Sequence, residues 1–336
     1  MMIDELTTPA LLVDIEAFNH NMTTMTAALP GARLRPHVKA FKSTAIGRLL
    51  ADAGHRSFCC ATVREMEGMA AAGLGDDLLL ANEVLDAGRL GAIARSGARV
   101  TLAVDSDLTV DAATAGGVSD VLIDVNVGLA RCGCAVEDAG RLADYARRAG
   151  LTVRGVMGYE GHIMGTVDVQ ERTDGARTAM ELLLGAHAEV GGEIISAGGT
   201  GTYAINTWAN EIQAGSYLLM DSAYERQGLP FRPAMTVLAT VISRGRVDGR
   251  DYLVADAGLK AFGMDHGNPS TDAGKVWFCS DEHVTFSPTS DRPVKPGDRI
   301  RLLPAHVDPT VARHQQFHVT DGDRVIDTWE IDLRHW

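Results

Sequence analysis

Through the first two thirds of the chain, short apolar runs recur. Each is followed by an Ala- and Leu-rich stretch with helical spacing, the pattern of repeated strand-helix units. Eight runs fit strands, at residues 32–40, 57–62, 77–82, 99–106, 118–126, 152–160, 193–200 and 211–221. Eight strands with intervening helices make a (β/α)8 TIM barrel, an α/β fold, the economical expectation.

Beyond about residue 230 the texture changes. Runs at 237–247, 252–257, 284–286, 299–303 and 317–329 read as strands separated by Gly, Pro and Asp turns with little helical periodicity, so a mostly β C-terminal domain is expected. The strand-like segment at 8–14 precedes the first barrel helix and is expected to pair with that domain. The expected boundaries are a barrel over 13–230 and a β domain over 231–336 that also takes the N-terminal strand within 1–12.

With 336 residues, 46% of them hydrophobic and 22% charged, the chain can fill ordinary cores and is not of disordered type. A net charge of −13 without any dense Lys/Arg run argues against a nucleic-acid partner. Residues 1–9 carry no basic segment leading into an apolar stretch, and no run of about eighteen apolar residues occurs. Export and membrane insertion are disfavoured, and a cytoplasmic protein is expected. The cysteines, Cys59, Cys60, Cys132, Cys134 and Cys279, are odd in number and lack CxxC spacing, so reduced thiols are expected, with no chemistry assigned to them.

If the barrel is right, reactive residues should collect where strands end. The first predicted strand ends in Arg35-Pro36-His37-Val38-Lys39-Ala40-Phe41-Lys42-Ser43, and a desolvated lysine there can act as an amine toward an aldehyde. Lys39 is the candidate and Lys42 its competitor; both are also readable as surface lysines. After the seventh strand, Ser196-Ala197-Gly198-Gly199-Thr200-Gly201-Thr202 offers bare amides and hydroxyls able to cradle a phosphate. A strand-one lysine with a phosphate loop points to a phosphorylated aldehyde cofactor. Arg131, just past the fifth strand, would keep a pyridine nitrogen unprotonated by charge repulsion, unless it pairs with a nearby carboxylate. Tyr159 and His162, in Met157-Gly158-Tyr159-Glu160-Gly161-His162, offer a ring and a titratable imidazole, or else packing residues.

In the C-terminal part, Pro304-Ala305-His306-Val307-Asp308-Pro309-Thr310 follows an apolar strand. His306 and Asp308, at i and i+2 in extended chain, would project from one face and bind one cation, with Mn, Mg or Zn suiting a nitrogen and a carboxylate. A His-Asp hydrogen-bonded pair is the alternative. Glu211, Gln213 and residues 281–283 are further candidates to line the site.

Taken in order, these strings resemble the fold-type III pyridoxal 5′-phosphate (PLP) enzymes related to D-threonine aldolase and eukaryotic-type D-serine dehydratase. The likeness runs from Thr8-Pro9-Ala10-Leu11-Leu12-Val13-Asp14, through the strings above and Gly215-Ser216-Tyr217-Leu218-Leu219-Met220-Asp221, to His306-Val307-Asp308-Pro309-Thr310. The resemblance implies that Lys39 carries PLP. It also implies cofactor contacts from His37, Arg131, Tyr159, Gly199, Thr200, Gly201, Thr202, Gly215, Ser216 and Tyr217, metal ligands His306 and Asp308, and a homodimer. His-x-Asp tilts toward an aldolase of β-hydroxy-D-amino acids with His162 as base, where dehydratases of the family tend to read His-x-Cys. The alternatives are a dehydratase giving a keto acid and ammonia and, more weakly, a non-catalytic PLP-binding protein. After Thr310 the chain departs from the pattern, with Val311-Ala312-Arg313 lacking an expected Asn, which leaves the substrate side chain open.

Overall fold

A computed structural model describes residues 1–289 and 293–336. The chain forms two compact units. One comprises Met25–Lys39, Thr44–Gly215 and Leu333–Trp336, the other Met1–Thr24, Ala40–Ser43 and Ser216–Asp332.

The N-terminal strand β1 (Ala10–Asp14) belongs to the second unit. The first unit is built on β2 (Ser57–Cys60), β3 (Asp77–Leu80), β4 (Val100–Val104), β5 (Asp120–Asp124), β6 (Thr152–Met157), β7 (Ile194–Ala197) and β8 (Glu211–Ile212), paired in parallel in that order. Burial on both faces explains why these strands read as continuous apolar runs rather than alternating ones. One layer of the core takes a residue from each of six successive strands: Cys59, Leu79, Ala103, Leu122, Met157 and Ile194. The helices between strands bury one stripe each, as Ala139, Leu142, Ala143 and Ala146 do in the helix Ala139–Arg148. Their starts are capped where the sequence supplies a hydroxyl or carboxylate, at Thr62, Ser106 and Asp168.

The segment expected as the first barrel strand, 32–40, is not a continuous strand. Pro36 has no N–H to donate, and Gly31–Arg33 and Val38–Ala40 form 3-10 turns. The segment nevertheless lies where an eighth strand belongs. Leu34 pairs in parallel with Ile212 of β8 and His37 with Cys59 of β2. Arg35 N donates to Ile212 O at 2.9 Å, and Cys59 N donates to Pro36 O at 3.0 Å. A TIM-type barrel thus forms with seven regular strands and one irregular one.

The second unit is mostly β, with β9 (Met235–Val247), β10 (Arg250–Ala255), β11 (Gly274–Cys279), β12 (Val284–Pro288), β13 (Arg299–Leu302), β14 (Gln316–Asp321) and β15 (Arg324–Glu330). Its sheet runs β11-β12-β10-β9-β1-β14-β15, with β13 on β9. β1 is inserted as expected, antiparallel to β9 (Leu12 opposite Thr236) and parallel to β14 (Leu12 opposite His318). One expectation needs correction, and one strand was missed. The run 317–329 is a hairpin of two strands that turns at Gly322, where φ is +56°. β11 was not legible, because Gly274 and Lys275 open it and Phe278 is exposed on its surface. Among the described residues, no helix is long and apolar enough to cross a membrane.

Candidate active site

In the barrel unit, the starts and ends of strands carry different chemistry. At the starts, the buried Arg35 guanidinium lies 3.0 Å from Asp77 Oδ2 and 2.7 Å from Glu211 Oε1, the latter an ion contact without hydrogen-bond alignment. Arg154 donates to both oxygens of Asp77, at 2.8 and 3.0 Å, and to Thr101 Oγ1 at 2.6 Å. Two guanidinium groups and two carboxylates therefore balance inside the barrel. Burial alone would raise the Asp77 carboxyl, but the hydrogen bonds from Arg154 and the charge of Arg35 outweigh it and hold the group at about 2. Glu211, a candidate site residue, belongs to this network through Arg35 and Ser196, and Gln213 joins it by donating to Ser196 Oγ at 2.8 Å.

At the strand ends the expected reactive residues gather. Lys39 is the middle residue of the turn Val38–Ala40, its amide 3.5 Å from His37 Nδ1. Tyr159, two residues past β6, presents its ring to Lys39 Nζ, 5.8 Å from the centroid, and to the Arg131 guanidinium carbon at 5.3 Å. Arg131 lies on a loop after β5 that Asn126 braces, its side chain accepting from Gly128 N and donating to Leu129 O, both at 2.9 Å. Gly128, at φ +123°, is required there: a Cβ would lie 2.9 Å from His162 Cε1, so the imidazole packs on bare backbone. Below this loop Asp124, the last residue of β5, is buried, and its carboxyl is pushed well above the ordinary value by that burial and by hydrogen-bonding contact with Glu83. A hydrogen bond of its own to Glu83, together with burial, pushes the Cys132 thiol up to about 11, which keeps it protonated and inert.

The glycine turn after β7 is organised by Glu160, a residue that no sequence signal had pointed to. Fully buried, it accepts from Gly198 N at 3.1 Å, Thr202 Oγ1 at 3.0 Å and Asn206 Nδ2 at 3.2 Å. Thr202 Oγ1 also accepts from Gly199 N at 3.2 Å, so this hydroxyl works inside the loop. A Cβ on Gly199 would lie 3.0 Å from Met164 Sδ and 3.7 Å from the Tyr159 ring, so the bare glycine lets both side chains pack close against the turn. An amine on the irregular strand, with a cation, an aromatic ring and a glycine turn after β5, β6 and β7, fits a phosphorylated aldehyde that carries a pyridine nitrogen. Gly215 is buried at the end of this unit.

In the β unit, Ser216 donates to Asp308 Oδ1 at 3.3 Å, and Tyr217 is fully buried with its ring 5.6 Å from that of Phe231. His306 is extended (φ −144°, ψ 121°), but Val307–Val311 is a helical turn, so Asp308 does not follow it along an extended chain and the same-face argument does not apply. Asp221, fully buried, accepts from Val307 N at 2.9 Å, holding the backbone between the two expected ligands. Among the described residues, one group of His, Cys, Asp and Glu brings three ligand atoms within 4.8 Å of one another: Asp265, His266 and His306. Imidazole and carboxylate donors on one exposed surface suit Mn or Zn. Asp265 and His266 carried no sequence signal, since they lie about forty residues before His306 with no spacing to link them.

The barrel with its strand-end lysine, and the β unit with a histidine-carboxylate cluster, define a PLP-type lyase architecture. Residues 13–223 match the model of the alanine racemase N-terminal domain, and residues 234–320 match that of a putative serine dehydratase domain. A 3-hydroxy-D-aspartate aldolase from Paracoccus denitrificans is 31% identical over 98% of this chain and 92% of its own length. A D-threonine aldolase from Arthrobacter is 33% identical over 97% and 92%. The crystal structure of D-threonine aldolase from Filomicrobium marinum, 31% identical, superposes with a TM-score of 0.90 over 98% of this chain and 96% of that one. The chain belongs to the fold-type III PLP-dependent family of D-threonine aldolases and D-serine dehydratase-like lyases.

Proposed function

We propose that this protein is a PLP- and divalent-cation-dependent aldolase that cleaves a β-hydroxy-D-amino acid to glycine and an aldehyde. The observation that carries this reading is the Tyr159 ring lying within 5.8 Å of the Lys39 amine and 5.3 Å of the Arg131 guanidinium at the barrel's strand ends. Full-length kinship with two aldolases supports it.

PLP, when bound, supplies the electron sink for the pair released as the Cα–Cβ bond breaks. Lys39 is the amine that holds it. Arg131, a guanidinium that stays charged, would disfavour protonation of the pyridine nitrogen through charge repulsion. His162, packed on Gly128, takes the proton from the substrate's β-hydroxyl, a transfer suited to an imidazole near neutral pH. His306 and Asp308 would hold the cation, Mn or else Mg or Zn, whose charge would lower the pKa of that hydroxyl. The proposal extends to a cytoplasmic homodimer, which light scattering on the purified protein checks.

The match of residues 234–320 to a serine dehydratase domain favours one second reading, loss of the β-hydroxyl to give a keto acid and ammonia. A product assay separates the two. Purified protein with PLP and Mn is incubated with D-threonine, D-3-hydroxyaspartate, D-phenylserine and D-serine. Glycine with an aldehyde is the expected outcome; ammonia with a keto acid from all active substrates would replace the aldolase by the dehydratase.

A further inference from the structure

The motif His306-Val307-Asp308-Pro309-Thr310 was read for its first and third residues, and its last two do something separate. Thr310, fully buried, donates its hydroxyl to His306 O at 2.7 Å and accepts from Gly263 N at 2.9 Å. Gly263 lies so close to this turn that a Cβ would meet Pro309 Cγ at 2.2 Å, and a proline ring cannot swing aside. Pro309 and Thr310 therefore seat the loop around residue 263 against the turn that bears His306. Two residues along that loop, Asp265 Oδ2 lies 2.7 Å from His306 Nδ1, and the His266 ring stacks on the His306 ring, with centroids 4.0 Å apart and planes 7° apart.

An ionised carboxylate only accepts, so the proton of this bond sits on Nδ1 and the lone pair of His306 is on Nε2. Nε2 makes no hydrogen bond among the described residues, and the side chain is 23% exposed. We propose that Asp265 is the positioning residue of the cation site: it fixes the His306 tautomer and ring plane so that Nε2 binds the divalent ion. This rests on the reading of His306 as a metal ligand and deepens it. The arrangement is a carboxylate–histidine–metal relay, in which the outer carboxylate raises the basicity of the ligating nitrogen and removes the rotational freedom that binding would otherwise cost. The stacked His266 ring restrains the same rotation. Direct ligation by Asp265 would require the proton on Nδ1 to leave and the ion to take its place, a different chemistry that the same experiment detects.

The test titrates the PLP-loaded protein with Mn(II), reading free Mn(II) by its electron paramagnetic resonance signal, for wild type, Asp265→Ala, Asp265→Asn, Gly263→Ala and His306→Ala. Asp265→Ala is expected to weaken Mn(II) binding about 10- to 100-fold. Asp265→Asn should bind with intermediate affinity, because its amide oxygen still accepts from Nδ1. At saturating Mn(II), the kcat of Asp265→Ala should return toward wild type, a recovery that a residue touching substrate would not give. Gly263→Ala, which displaces the loop and leaves Asp265 intact, should also weaken binding. Unchanged affinity in Asp265→Ala, alongside lost binding in His306→Ala, would overturn the positioning role alone. Loss in Asp265→Ala as complete as in His306→Ala would make Asp265 a ligand and overturn it too. Wild-type binding that survives His306→Ala would overturn the metal reading itself and the inference with it.

Discussion

Two aspartates, one in each unit, contact nitrogen bases in opposite ways. Asp77 engages two guanidinium groups, and its partner Arg35 is 1% exposed; Asp265 engages one imidazole at 2.7 Å and is 55% exposed. Around Asp77, carboxylate oxygens and guanidinium N–H groups meet one another inside the barrel, where an unpaired charge would be costly. Around Asp265, the bond to Nδ1 leaves the other nitrogen of the same ring open. A buried cluster whose charges pair with one another holds a fold together, whereas a cluster that orients one group and leaves its reactive atom open is built for a ligand. Their positions agree with that division, since Asp77 opens a barrel strand, at the end of the barrel associated with stability.

The comparison breaks most visibly if Asp77 is dispensable. Asp77→Ala leaves Arg154 with the largely exposed Glu193 as its one charge partner among the described residues and removes one of the two charge partners of Arg35. Removing one member of a buried ion pair costs about 3 to 5 kcal/mol. Denaturant unfolding should show a loss in that range; a loss under about 1 kcal/mol would place the network among ordinary surface pairs.

A smaller effect sharpens the same point through pH. The Asp77 carboxyl titrates at about 2 in the fold against an ordinary 3.8, so the folded state favours its charged form. The stabilisation is fully present above about pH 4 and is lost as pH falls from there to about 2, an amount on the order of 2 kcal/mol. Asp77→Asn has no such group to titrate. The stability gap between wild type and Asp77→Asn should therefore narrow by about 2 kcal/mol between pH 5 and pH 2. A gap independent of pH would show that the charge of Asp77 is not what the two arginines require.

Neither aspartate was singled out by sequence, and the reason differs from that for the strands. β2 to β7 were legible because burial on both faces writes continuous apolar runs such as Leu78-Leu79-Leu80. The segment 32–40 was misread as a regular strand because its apolar positions, Leu34 and Val38, are buried while Pro36 and the 3-10 turn at Lys39 interrupt the ladder. Lys39, Tyr159 and Arg131 were expected at the site because strand ends can be located from the runs that precede them. Glu160, Asp221 and Asp265 act through partners 38, 86 and 41 positions away. Such contacts leave no period in the chain, and only folding brings them together.

The smallest expected effect is the most discriminating. Asp265→Ala should change unfolding stability by no more than about 0.5 kcal/mol, because the side chain is more than half exposed and the loop that carries it is held by Thr310 and by the fit of Gly263 against Pro309, neither of which the substitution touches. The same substitution is expected to weaken Mn(II) binding about 10- to 100-fold. Weak effect on folding with strong effect on ion affinity is the reverse of what Asp77→Ala should give. A loss of 2 kcal/mol or more in Asp265→Ala, measured without metal, would mean that the carboxylate fastens its loop to the His306 turn. The two aspartates would then be structural alike, and the exposure of one would no longer separate them.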